Sequence, residues 1–240
     1  MAELVAPRPQ LGAGVPGGHD VIMSSQPAPE SGRLPLPARM LSSQVVAVLP
    51  DEPVDSMMAP VEVMLQEGIQ VFSLPAGAVE RLTTLHTIFG ARGSFGVHGV
   101  IDPDGIDALI ATGIEFALPV GPTPQVLAAL RAAGVPAVPD ALTPTEVRAV
   151  WAAGADAVQV VPADIGSATY GPALVELAPG VPCLPRGGVG SYALRKWISS
   201  GAPAACLDEI LVGDACTDSA LPALRERCRS VLAVIADERA

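Results

Sequence analysis

The sequence predicts an α/β protein whose strands and helices form one (β/α)8 barrel, or TIM barrel, behind a flexible N-terminal tail. Three observations predict this fold. Short apolar or β-branched runs alternate with amphipathic stretches of about ten residues. Eight such runs recur at spacings of about 21 to 25 residues. Glycines and X-Pro pairs fall between the runs in register, at the places where helices end and begin.

The eight predicted strands follow one another without interruption. They occupy residues 45–49, 70–74, 94–98, 115–119, 136–140, 157–161, 182–186 and 204–208. Eight consecutive βα units favour a closed barrel. The alternative is a doubly wound open sheet, which often has a G-x-G-x-x-G turn after its first strand. The first turn here reads Pro-Asp-Glu-Pro at residues 50–53, so the barrel is preferred.

The turns between these units repeat as well. Thr123-Pro124 and Thr143-Pro144 each place a capping side chain before a proline suited to the first helical position, and Asp102-Pro103 does the same. A glycine lies one to three residues before each of seven strands, where a left-handed conformation can end the preceding helix. These glycines are Gly68, Gly93, Gly113, Gly134, Gly154, Gly180 and Gly201. An outer helix is expected over residues 79–89.

Residues 1–40 are predicted to be a separate tail, and residues 41–240 the barrel. The first 40 residues contain seven prolines and five glycines without apolar periodicity, a composition that buries too little surface to offset the entropy of ordering. Two alternatives stay open for this segment. It can contain one short helix that plugs the bottom of the barrel, or a peptide that docks on a partner.

Composition excludes several classes of protein. Of the 240 residues, 50% are hydrophobic but only 3% aromatic, so the core must consist of Val, Leu, Ile and Ala. A net charge of −11 argues against nucleic acid or an anionic membrane surface as a partner. No apolar run approaches the roughly 20 residues of a membrane span. We expect a soluble cytoplasmic protein whose four cysteines are free thiols.

The active site of such a barrel lies at the carboxyl ends of its strands. The residues there that can carry chemistry are the candidate catalytic residues His98, Asp140, Arg186, Asp208 and Glu209. Four more are candidate substrate-binding residues, namely Ser73, Gln159, Gly187 and Gly188. This combination of groups predicts a site for a small-molecule ligand.

Each of these residues also has a plainer interpretation. His98 can act as a general base or metal ligand, or can simply bind a loop carbonyl. Arg186 can grip a carboxylate in bidentate fashion, although an internal ion pair with Asp208 or Glu209 is favoured because it would explain how two carboxylates are tolerated. Ser73 has no base at a motif spacing, so a structural role is favoured for it.

A divalent metal ion is a possible cofactor. Asp140, Asp208 and Glu209 together with His98 offer oxygen and nitrogen ligands, but no motif spacing supports a particular metal. For Gln159, internal hydrogen bonding is favoured over a catalytic role. The loop over residues 164–170 can close over a ligand or can be an ordinary surface loop.

Three segments resemble the 2-keto-3-deoxy-6-phosphogluconate (KDPG) and 4-hydroxy-2-oxoglutarate (KHG) aldolases. They are Phe-Ala-Leu-Pro-Val-Gly-Pro-Thr at residues 116–123, Val-Val-Pro-Ala at 160–163 and Pro-Arg-Gly-Gly-Val at 185–189. The resemblance runs from about residue 42 to residue 235. It implies a trimeric class I aldolase that forms a Schiff base between a lysine on the sixth strand and a keto acid, with a glutamate on the second strand moving protons.

This sequence departs from the family at the catalytic positions. By the resemblance, the lysine falls on Gln159, the glutamate on Ser73, and a carboxylate-binding arginine near Gly77. The only lysine in the chain, Lys196, lies in a predicted outer helix. An amide is neither nucleophilic nor ionisable, so Gln159 excludes imine catalysis at that position.

The family's phosphate site is altered too. Gly187 and Gly188 remain, but the eighth strand ends in Asp208 and Glu209, whose charges would repel a phosphate dianion. Two hypotheses follow. The first is a divergent, lyase-like enzyme that acts on a small oxo acid without a Schiff base. The second is a non-catalytic pseudo-aldolase that scaffolds or regulates a partner.

Overall fold

Eight parallel strands form the centre of the fold in the computed structural model, which describes residues 32–165, 169–216 and 220–239. The strands are β1 (Val45–Val48), β2 (Val71–Pro75), β3 (Ser94–Gly99), β4 (Ala117–Pro119), β5 (Asp140–Ala141), β6 (Val158–Val160), β7 (Cys183–Pro185) and β8 (Ala205–Leu207). All are paired in parallel.

The strands form a ring. Hydrogen bonding gives one sheet in the order β4-β3-β2-β1-β8 and a second in the order β5-β6-β7. Two isolated bridges join the sheets, between Ala117 and Ala137 at one junction and between Arg186 and Cys206 at the other. The predicted α/β barrel is therefore confirmed.

Helices alternate with the strands around this ring. They are α1 (Ala38–Ser43), α2 (Val54–Glu67), α3 (Val79–Phe89), α4 (Ile106–Ala111), α5 (Pro124–Ala132), α6 (Pro144–Ala152), α7 (Tyr170–Leu177), α8 (Ser191–Ser199) and α9 (Leu221–Arg239). The helix expected over residues 79–89 is confirmed. Among the described residues, no helix is both long enough and apolar enough to cross a membrane.

The predicted helix starts at the Thr-Pro pairs are confirmed. The Thr123 hydroxyl accepts a hydrogen bond from the Val126 amide. Thr143 forms a reciprocal capping box with Glu146. The Asp-Pro start differs, because Pro103–Gly105 form a 3-10 turn before α4 begins.

Two local predictions are wrong. The fifth strand was expected over residues 136–140, but β5 is only the two residues Asp140–Ala141. Pro136 and Pro139 lack amide donors, so this segment makes only part of a ladder. Gly93 was expected to adopt a left-handed conformation and does not. Close packing favours glycine here instead, since a Cβ atom at position 93 would lie 3.1 Å from the Phe72 ring.

Apolar side chains form two cores, one on each side of the strands. Along β1, Val46 and Val48 belong to a smaller inner core, whereas Val45 and Ala47 face the larger core against the helices. This alternation explains why every residue of β1 is buried. The inner core also contains Met40 of α1, so the first described helix closes one end of the barrel interior.

The predicted boundary near residue 40 remains a prediction, because residues 1–31 lie outside the described residues. On the described side of it, Leu36 packs against the inner core. The amide of Leu34 donates to the buried carboxylate of Asp156, at 2.7 Å. The Arg33 guanidinium lies 3.3 Å from the centroid of the Trp151 ring. Residues on the N-terminal side of the predicted boundary thus contact the barrel.

Candidate functional site

A cavity of about 360 Å³ opens at the carboxyl ends of the strands. Its volume is within the range of small-molecule sites. Three predicted catalytic residues, His98, Asp208 and Glu209, line it, and the rest of its wall is formed by Val48, Leu49, Pro50, Val212 and Gly213. The structure thus brings together residues from β3 and from the loops after β1 and β8.

Gln159 lies at the centre of the barrel and is fully buried. It is paired with Asp140 on one side and Leu184 on the other in the strand register. Its Nε2 donates to the carbonyl oxygen of Pro119 at 3.1 Å, and its Oε1 accepts from Nη1 of Arg186 at 3.2 Å. Both ends of the amide are therefore engaged within the protein.

Arg186 does not make the internal ion pair that the sequence favoured. Within the described parts of the chain, neither Asp208 nor Glu209 lies within ion-pairing distance of its guanidinium. The two carboxylates follow β8, while Arg186 is bridged to Cys206 lower on that strand. This half-buried guanidinium instead donates to Gln159 and keeps further N–H groups for a ligand.

His98 is mostly buried and carries no charge near neutral pH. Burial and, after it, the nearby positive charge of Arg186 together lower the pKa of its imidazole from 6.5 to about 4, against smaller opposing effects of Ser73 and Asp51. Its Nδ1 lies 3.1 Å from the Ser73 hydroxyl oxygen. The ring is thus fixed through Nδ1, and Nε2 remains for a ligand.

Asp140 does not line the His98 cavity. Its carboxylate accepts a hydrogen bond from the Gly121 amide at 2.7 Å, and it borders a separate groove of about 550 Å³ along α5 and α6. No group of three His, Cys, Asp or Glu residues suited to a metal ion occurs among the described residues.

The turn that contains Gly187 and Gly188 has a negative neighbour. Both glycines adopt positive φ angles, 83° and 67°. A Cβ atom built on Gly188 would overlap the carboxylate of Asp164. The carboxyl group therefore lies against the turn where the sequence comparison placed part of a phosphate site, and it adds negative charge there.

Lys196 is not placed to replace the missing Schiff-base lysine. It lies on α8, in the outer layer, with its Nζ 5.8 Å from the ring centroid of Tyr192, which is 66% exposed. The four cysteines are free thiols, as expected. Burial raises the pKa of the Cys206 thiol to about 12, so the cysteine in the barrel interior is not a thiolate.

Sequence reasoning missed two features of the mouth. The Pro119 carbonyl anchors Gln159, which only the folded register shows. Asp51, in the loop after β1, forms an ion pair with Arg81 of α3, and its charge acts on His98. The sequence does offer a signal for Asp51, because it is the second residue after the first predicted strand.

The fold and site define an α/β barrel protein with a ligand cavity at the carboxyl ends of its strands. Residues 36–219 match the family model described as "Aldolase: KDPG and KHG aldolase". The chain belongs to this aldolase family.

Known proteins similar to this chain include aldolases. The 2-dehydro-3-deoxy-6-phosphogalactonate aldolase of Escherichia coli K12 is 24% identical over 167 residues, which cover 68% of this chain and 82% of that protein. The structure described as native KDPGal superposes with a TM-score of 0.73 at 20% identity, over 81% of this chain and 95% of that one. A KDPG aldolase from Legionella pneumophila was captured with pyruvate as a covalent carbinolamine intermediate. Its structure superposes with a TM-score of 0.67 at 20% identity, over 82% of this chain and 96% of that one.

Proposed function

We propose that this protein is a carbon–carbon lyase that cleaves a small oxo acid without forming a Schiff base. The observation that carries the proposal is the buried amide of Gln159, which is bonded to Pro119 and Arg186 at the centre of the barrel. Family membership supports aldolase-type chemistry. The Legionella relative holds pyruvate covalently, whereas the only lysine here is on the outer helix α8.

The proposed roles follow from charge and position. Arg186 binds the carboxylate of the oxo acid and stabilises the negative charge that develops on the neighbouring carbonyl oxygen. Neutral His98 offers Nε2 as a hydrogen-bonding partner. Asp208 or Glu209, which line the cavity, accepts the proton of the substrate hydroxyl as the carbon–carbon bond breaks. The hydroxyl carbon leaves as an aldehyde, and the electron pair of the broken bond forms an enolate, which takes up the proton from that carboxyl group to give the oxo acid product.

The test is a cleavage assay on the full chain. Pyruvate release is followed from 4-hydroxy-2-oxo acids with and without a terminal phosphate, in the presence and absence of Mg²⁺ or Mn²⁺, because the sequence leaves a divalent cofactor open. We expect cleavage of the unphosphorylated substrate and its loss in Arg186→Ala. Absence of turnover on every substrate and with either metal would refute the lyase.

A scaffold or regulatory barrel is the second candidate. It is favoured by the His98 imidazole, whose pKa of about 4 makes it a weak base at neutral pH. Against it stands the open cavity, since Arg186 makes no ion pair with Asp208 or Glu209 in the described chain. A scaffold would give no turnover but would still bind a partner, which cross-linking in a cell extract can detect.

We further propose that the protein is a cytoplasmic homotrimer. Family resemblance supports the trimer, and four free cysteines are consistent with a reducing compartment. Sedimentation equilibrium should give three times the chain mass. A monomer at micromolar concentration would contradict the trimer and leave the lyase proposal intact.

A further inference from the structure

We propose that Gln159 is a positioning residue that holds Arg186 as a fixed carboxylate-binding group in the mouth of the barrel. This inference deepens the proposed function and rests on the same site, but it concerns binding rather than turnover. The ligand class it assigns is a small unphosphorylated carboxylate, such as a 2-oxo acid.

The first step is the rigidity of Gln159. Its side chain is fully buried, and its Nε2 is tied to the Pro119 carbonyl at 3.1 Å. This bond fixes which end of the amide is the oxygen, because only the NH₂ group can donate to a carbonyl. The Oε1 atom is therefore directed to Arg186, which it meets at 3.2 Å.

The second step is the state of Arg186. A half-buried arginine is usually paired with a carboxylate, yet among the described residues Arg186 has the hydrogen bond to Gln159 and no ion pair. A neutral amide orients a guanidinium without cancelling its charge. A carboxylate in place of the amide would neutralise it, and an ammonium group would repel it.

The third step is the negative charge of the residues around Arg186. Asp208 and Glu209 line the adjacent cavity, and Asp164 lies against Gly188 two residues after the arginine. Two N–H groups of one guanidinium can donate in parallel to the two oxygens of one carboxylate group. A phosphate dianion would bring a second negative charge toward these carboxylates, so a monoanion is the better ligand.

The test measures binding of sodium pyruvate to the full chain by isothermal titration calorimetry at pH 7. We expect Arg186→Ala to weaken the affinity by about tenfold to a hundredfold, as for loss of a charge-assisted hydrogen bond. Gln159→Glu should weaken it as much, because the introduced carboxyl group pairs with the guanidinium. Gln159→Leu should weaken it by about three- to tenfold, since Arg186 keeps its charge but loses its support.

Two controls separate positioning from a general structural effect. Arg148→Ala removes one positive charge from the outer helix α6 and should leave pyruvate binding unchanged. In the double variant Gln159→Leu/Arg186→Ala, affinity should equal that of Arg186→Ala alone, because a positioning residue acts only through the group it positions. Circular dichroism verifies that each variant is folded.

The outcomes are distinct. Additive losses in the double variant, or wild-type affinity in Gln159→Glu, would overturn the positioning role. Inorganic phosphate binding more tightly than pyruvate would overturn the assigned ligand class. Pyruvate binding with the expected variant pattern but no lyase turnover would uphold this inference while the proposed reaction fails.

Discussion

At the scale of single residues, Gln159 determines how charge is arranged inside the barrel. It is one of few buried polar side chains, and both its partners are identified. A lysine at this position would be buried next to Arg186 without a described carboxylate partner. We expect Gln159→Lys to lower the free energy of unfolding by about 3 kcal/mol, the usual cost of an uncompensated buried charge.

Urea denaturation measures this cost, and Gln159→Met provides the uncharged control of similar shape. Adding Arg186→Ala to Gln159→Lys should restore part of the lost stability, because the repulsion is removed. If Gln159→Lys is as stable as Gln159→Met, the mouth tolerates two adjacent cations and our account of Arg186 is mistaken.

His98 makes folding sensitive to moderate acid. Its pKa is about 4 in the folded protein and near 6.5 in an unfolded chain, so between these values only the unfolded chain takes up the proton. Stability therefore falls as the pH is lowered through this window. Between pH 7 and pH 5, we expect His98 to contribute about 2 kcal/mol of the loss.

The matched comparison is the His98→Asn variant. Between pH 7 and pH 5, its free energy of unfolding should fall by about 2 kcal/mol less than that of the wild type. Arg186→Ala should also reduce the loss, since removing its charge lets the pKa of His98 rise. Equal losses of stability in the wild type and in His98→Asn would show that the imidazole has the same pKa in the folded and the unfolded protein.

At the scale of elements, local sequence signals predicted most of the barrel. The Thr-Pro pairs predicted the starts of α5 and α6 because capping depends only on neighbouring residues. The length of β5 was not predictable in this way, because the prolines around it break a ladder whose partners are distant in sequence. The same limit applies to the site. The ends of the predicted strands were enough to locate His98. Whether Arg186 pairs with Asp208 depends on how β7 and β8 are aligned, which the local sequence does not determine.

The capping box at the start of α6 offers a test at this scale. Thr143→Ala removes the hydroxyl that accepts from the Glu146 amide, so we expect unfolding free energy to fall by about 1 kcal/mol. Thr145→Ala, on an exposed side chain of the same helix, should change it by less than about 0.5 kcal/mol. Equal effects, measured in urea, would indicate that helix propensity and not the cap determines the loss.

At the scale of the whole molecule, the barrel interior includes a residue that precedes the first strand. Met40 is fully buried in the inner core, together with side chains from β1, β2, β4, β7 and β8. Composition suggested a tail up to residue 40, because prolines and glycines dominate that segment. A plugging helix was one of the alternatives, and only the folded ring shows that α1 supplies an interior side chain.

Truncation of this side chain should therefore affect the entire barrel. We expect Met40→Ala to cost about 2 to 4 kcal/mol in unfolding free energy, as for other large-to-small changes in a core. Leu41→Ala, at a side chain that is 48% exposed on the same helix, is the matched control and should cost far less. Similar small costs at both positions would place α1 outside the cooperative fold.

The central claim is that this aldolase-family barrel engages an oxo acid without covalent attachment. Borohydride reduction in the presence of pyruvate, followed by intact-mass spectrometry, tests it most directly, because an imine would be trapped as a stable adduct. We predict the unmodified mass under conditions in which calorimetry shows pyruvate bound. A pyruvate adduct on Lys196 would contradict the claim, since it would require the outer helix α8 to present its lysine to the ligand.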